Sequence, residues 1–95
     1  MSVFAVQYFY SAEADQLAEI RPIHREWLTQ LLADGSLLAS GPLVDFPGAL
    51  LIFKAASLEE LSHLLDHDPF DIAGFIGERT VSEWNPIFGP FSEIK

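Results

Sequence analysis

The spacing of apolar and polar positions changes several times along the chain, and each change marks an element. "VFAVQYFY", Val3 to Tyr10, is β-branched and aromatic with almost no polar interruption, the pattern of a strand buried on both faces. "SAEADQLAEIRPIHREWLTQLLADG" follows with a helical period, placing Leu17, Ile20, Trp27, Leu28 and Leu31 on one stripe. Gly35 stands where a left-handed residue would end that helix. Pro22 interrupts it, so either the long helix begins near Ile20 or a short first turn kinks into it. "SLLASGPL" and "GALLIFKA" predict a second and a third strand, with Pro47-Gly48 between them a type II turn pair. Ser57 and Glu60 form a capping box, opening a helix that turns Leu58, Leu61 and Leu65 inward and ends near Asp66. A short turn around Asp71 to Phe75 leads to a last strand, Arg79 to Pro86, and a tail "FGPFSEIK".

The order β-α-β-β-α-β is that of a ferredoxin-like α+β fold, with an antiparallel four-stranded sheet and helices on one face. Strands one and three are central in that topology, and they are the most apolar here. The other sheet face would then offer parts of "VFAVQYFY" and "ALLIF" to water. Apolar patches of that kind mark interfaces, which predicts a homodimer formed through the sheet face. The alternative is that "PIFGPF" folds back over it.

Composition narrows what such a domain can do. The 95 residues make a single domain spanning the chain, nearly half apolar. Fourteen acidic side chains stand against five basic ones, a net charge of -9, which disfavours nucleic acid and anionic membrane. The absence of cysteine excludes disulfides, thiol nucleophiles and thiolate metal sites. The N-terminal "MSVFAVQYFY" lacks a basic leader and is too short to span a bilayer, so a soluble, cytoplasmic protein is expected.

Among residues able to carry chemistry, His24 stands out because it takes a slot in the buried stripe of the first helix. A buried imidazole needs a hydrogen-bond partner or costs about 1–3 kcal/mol; a backbone carbonyl would be the ordinary one. In "DPFD", Asp68 is an N-cap candidate with Pro69 at the first helical position and Asp71 two beyond. A capping carboxylate is held ionised and fixed in direction, suited to orient a histidine rather than to act as the acid. Ser40-Gly41-Pro42 ends the second strand and offers a hydroxyl and a backbone amide, although a turn would use the same residues. His63 and His67 have helical chelate spacing, but a solvated face shared with Glu59 and Glu60 accounts for them, and no metal site is expected. Tyr8, Tyr10, Trp27 and Trp84 suit either a pocket for a flat ligand or the core.

With these positions in view, the chain resembles the YCII-related proteins of the dimeric α/β-barrel group. The resemblance rests on the histidine within "RPIHREWLTQLLADG", on "LLASGPL", on the apolar third strand, and on "LLDHDPF" before a strand containing "EWNP". It implies two ferredoxin-like subunits with their sheets face to face, and a pocket between helices and sheet where a histidine and an aspartate pair. Those roles fall on His24 and Asp68, with Ser40 and Gly41 at the pocket edge. Relatives of this group include muconolactone isomerases and cofactor-free monooxygenases acting on small cyclic, often phenolic, compounds.

The expectation is therefore a small cofactor-independent lyase or isomerase. His24 would be the general acid/base and Asp68 would hold its tautomer. Ser40 and the Gly41 amide would donate to an oxygen gaining charge, and Pro42, Tyr8, Trp27 and Phe70 would contact the substrate. Arg21 or Arg25 could bind one carboxylate. The alternative is a non-catalytic ligand-binding or interaction module in which His24 and Asp68 are a structural pair.

Overall fold

The computed structural model describes residues 1–94. Its elements are β1 (Ser2–Tyr10), α1 (Ala14–Asp34), β2 (Leu37–Pro42), β3 (Gly48–Ala55), α2 (Leu58–Leu65), α3 (Pro69–Ile72) and β4 (Ile76–Trp84). The strands form one antiparallel sheet in the order β2-β3-β1-β4. The helices pack on one side of it, giving the ferredoxin-like β-α-β-β-α-β arrangement with α3 as a short addition after α2.

Strand alternation decides which side chains meet the helices. Phe4, Val6 and Tyr8 of β1 lie opposite Phe53, Leu51 and Ala49 of β3, and all six are buried against the helical layer. Fully burying a Phe, Leu or Val contributes about 1.5–3 kcal/mol, so this row is a large part of the core. The opposite row of β1 differs from the expectation of burial on both faces. Val3 is buried, but Gln7 is exposed and Ala5 and Phe9 only half-buried. On the same open face Leu50 and Trp84 are each 40% exposed. The tail touches this face near Trp84, whose ring meets Phe91 edge-on at 6.4 Å. Ile87 and Phe88 project away at 63% and 94% exposure, so they do not cover the sheet.

Helix α1 runs unbroken through Pro22 from a start at Glu13. The Gln16 side chain accepts the Glu13 N–H at 2.9 Å, satisfying one of the donors that a helix start leaves free. Pro22 cannot donate to the Ala18 carbonyl, but both residues are exposed, so water can serve that carbonyl and the helix does not break there. Gly35 closes α1 at φ 88°, the left-handed conformation that glycine adopts without strain. In α2, Leu61 and Leu65 point inward while Leu58, at the first turn, is 52% exposed. Gly48 has no positive φ, so the expected type II turn does not form. A β-carbon at Gly48 would lie 2.3 Å from the Tyr8 carbonyl oxygen, and glycine is needed there for close approach of β3 to β1. The last strand begins three residues before the expected Arg79, pairing Ile76 with Tyr10 across an irregularity at Phe9/Tyr10. No helix among the described residues is long and apolar enough to cross a membrane.

Candidate active site

The loop from α2 to α3 fixes Asp68. Its N–H bonds the Leu65 carbonyl at 3.1 Å, and its own carbonyl accepts from Ile72 at 2.9 Å. Pro69 takes the first position of α3, and the Asp68 side chain caps that helix by accepting the Phe70 N–H at 2.8 Å. Asp68 is thereby turned inward and is fully buried.

Two further side chains converge on the carboxylate. His24 of α1 approaches Oδ1 through Nδ1 at 2.8 Å, and the Tyr8 hydroxyl of β1 donates to Oδ2 at 2.9 Å. A helix, a strand and a capped turn distant in sequence thus meet on one side chain. No buried side-chain nitrogen or oxygen among the described residues lacks a partner.

The geometry assigns the histidine tautomer. The Phe70 N–H and the Tyr8 hydroxyl both donate to Asp68; a carboxylate can only accept, and against one His24 Nδ1 carries the hydrogen of their contact. In the neutral ring Nε2 is then the bare nitrogen. Phe70 stacks on the imidazole with centroids 3.9 Å apart and planes 15° apart. Trp27 lies at 6.2 Å and 27°. The ring's orientation is held by hydrogen bond and by stacking together.

His24 borders a cavity of about 270 Å³ whose wall also includes Tyr10, Arg21, Arg25, Leu28, Ser40, Gly41, Pro42 and Phe70. The structure brings His24, Ser40, Gly41, Pro42 and Phe70 together around this space. Asp68 lies behind His24. Tyr8 and Trp27, expected at the substrate, are not part of the wall: Tyr8 supports Asp68 from below and Trp27 flanks the imidazole. The Tyr8 hydrogen bond is not evident from residue spacing, yet the sequence holds a signal for it. Tyr8 shares the helix-facing row with Phe4 and Val6, and a buried phenol there requires an acceptor. At the far end of α2, His67 uses Nδ1 to bond the His63 carbonyl at 2.8 Å.

The two tyrosines of the chain both have raised pKa values. For Tyr8 burial is the main cause, followed by the negative charge of Asp68 and the hydrogen bond to it. For Tyr10 burial again leads, Asp68 adds to it, and Arg21 opposes. In the unfolded chain both phenols ionise around the ordinary value of 10.0. Folding stability is therefore fully present below that pH and declines as pH rises above it, because the unfolded chain releases protons that the native state retains. Tyrosinate absorbance in an alkaline titration is expected to appear together with loss of the far-ultraviolet dichroism. Ionisation of both phenols with the fold intact would contradict this.

A family model described as "YCII-related domain" matches residues 1–85. The uncharacterized protein YjpA of Bacillus subtilis (strain 168) is 36% identical over 61 residues, covering 64% of this chain and 71% of YjpA. Among solved structures, the 5-chloro-2-hydroxyhydroquinone dehydrochlorinase TftG of Burkholderia phenoliruptrix AC1100, in complex with 2,5-dihydroxybenzoquinone, superimposes with a TM-score of 0.77. It is 23% identical, with 86% of this chain and 92% of TftG covered. Protein Atu4242 of Agrobacterium tumefaciens aligns over 100% of both chains at 17% identity and a TM-score of 0.59. These likenesses are of fold alone, the ferredoxin-like arrangement of one antiparallel sheet with helices on one side.

Proposed function

The chain belongs to the YCII-related family, and from that premise we propose that it is a small, cofactor-independent lyase or isomerase moving a proton on a small cyclic or aromatic compound. The observation that carries this reading is the imidazole of His24, tied at Nδ1 to a buried carboxylate and bordering a cavity. Such a ring presents Nε2 as a base and, once protonated, shares its charge with Asp68. The Ser40 hydroxyl and the Gly41 amide are the donors for an oxygen that gains charge as the proton leaves. Proton transfer of this kind needs no group beyond these side chains. The cavity of about 270 Å³ lies near the small end of ligand pockets, roughly 300–1,000 Å³, and suits a single ring. TftG, of the same fold, was solved with a one-ring quinone.

The protein works as a homodimer in this proposal, two copies burying the open sheet faces against each other. Leu50 and Trp84, each 40% exposed, are the apolar residues such packing would cover. A second reading has one observation in its favour: Asp68 cross-links β1, α1 and α3, which a purely structural pair in a binding module would also do.

Exchange in deuterated buffer separates the two. A panel of small cyclic ketones and phenolic acids is incubated with the protein and followed by proton NMR. Carbon-bound deuterium appearing, or a double bond migrating, with the native chain but not with His24→Gln supports the enzyme. Equal inertness of the two proteins across the panel, each still folded, favours the binding module.

A further inference from the structure

The distribution of positive charge around the cavity bears on what the substrate must carry. The chain has five basic residues against 14 acidic ones. Arg79 is committed to Asp66 at 3.1 Å and Asp71 at 3.9 Å. Arg21 and Arg25, by contrast, form no ion pair among the described residues, despite the surplus of carboxylates, and both line the cavity beside His24. They are four residues apart on α1 and so occupy one face, where like charges repel by a few tenths of a kcal/mol. Arg21 is half-buried and Arg25 exposed, which places one inside the wall and the other at its rim. The charge of Arg21 also reaches Tyr10, whose hydroxyl has no hydrogen-bond partner among the described residues. Two unpaired guanidiniums and a free phenol thus border the same small space as the histidine.

We infer that the compound held in this cavity bears a carboxylate, gripped by Arg21 and Arg25, which fixes the ring against Phe70 and Leu28 with its reacting carbon toward His24. The inference rests on the proposed catalytic cavity and names the substrate class: one-ring monocarboxylates. Guanidinium groups offer paired donors matched to a carboxylate. A local positive site also offsets the repulsion that a chain of net charge -9 exerts on an approaching anion. The anion in turn relieves the repulsion between the arginines.

Calorimetric titration with benzoate and with its neutral counterpart benzamide tests this. Benzoate should bind in the millimolar range or tighter, benzamide about tenfold more weakly. Arg21→Gln and Arg25→Gln should each weaken benzoate about tenfold and leave benzamide unchanged, while Lys54→Gln, which removes a charge outside the cavity, should alter neither. Added salt should weaken benzoate selectively. Benzoate binding no better than benzamide, no benzoate binding at millimolar concentrations, or arginine variants that bind benzoate as the native chain does would each overturn the inference. His24→Gln keeps the two proposals apart. Benzoate binding retained in that variant, with no exchange by the native chain on any acid, would sustain the carboxylate site and sink the enzyme.

Discussion

Replacing His24 by glutamine is expected to lower turnover by about 10²–10⁴-fold while leaving the fold standing. The asymmetry follows from what each nitrogen of the ring does. Nδ1 serves the structure, bonding Asp68 at 2.8 Å, and the glutamine amide can supply an N–H to the same oxygen. Nε2 serves the chemistry, and an amide has no basic nitrogen to replace it. The loss should fall on kcat rather than KM, because the cavity wall that binds substrate is otherwise intact. An unfolded His24→Gln variant would assign the histidine to the core instead, and unchanged turnover would move the base elsewhere.

Replacing Asp68 by alanine should act first on stability, lowering it by about 3–5 kcal/mol. The buried Tyr8 hydroxyl and the His24 Nδ1–H would each lose their acceptor, and α3 would lose its cap. Water has no easy access to a site where Asp68 is fully buried. A domain of this size has a total of about 5–15 kcal/mol, so the variant should be marginal at ordinary temperatures. Urea denaturation is the measurement: the midpoint should fall with the slope unchanged. Asp68→Asn should keep more of the stability, since its amide oxygen can still accept from the Phe70 N–H and from His24 Nδ1 while its NH2 faces the Tyr8 oxygen. It should still lose activity, since a neutral amide does not stabilise the protonated imidazole. A small shift in the midpoint for Asp68→Ala would mean that the three hydrogen bonds contribute little.

Much of this was legible from residue spacing. Continuous apolar runs mark β1 and β3, a 3.6-residue period marks the stripe of α1, and His24 sits in that stripe as an evident oddity. "DPF" marks the cap because proline is favoured at the first position of a helix, just after an N-cap aspartate. What could not be read there depends on contacts between distant segments. Tyr8 looks like any core aromatic until Asp68 is placed above it. Gly48 looks like a turn residue, whereas its reason is the Tyr8 carbonyl oxygen across the sheet. Helix α1 passes through Pro22 because the carbonyl deprived of a donor faces water. The early start of β4 has no sequence signal because Gly77 and Glu78 are exposed at a sheet edge and show no apolar period. Both faces of β1 are apolar in sequence, but only one meets the helices of its own chain.

The claim on which the rest depends is that Asp68 holds the proton of neutral His24 on Nδ1 and leaves Nε2 bare beside the cavity. Long-range proton–nitrogen correlation spectra of nitrogen-15-labelled protein, recorded at alkaline pH with the fold intact and the ring neutral, read this directly. Nδ1 protonated and Nε2 pyridine-like is the expected spectrum. A native His24 that carries its proton on Nε2, the form preferred by imidazole side chains in water, would contradict the proposed base.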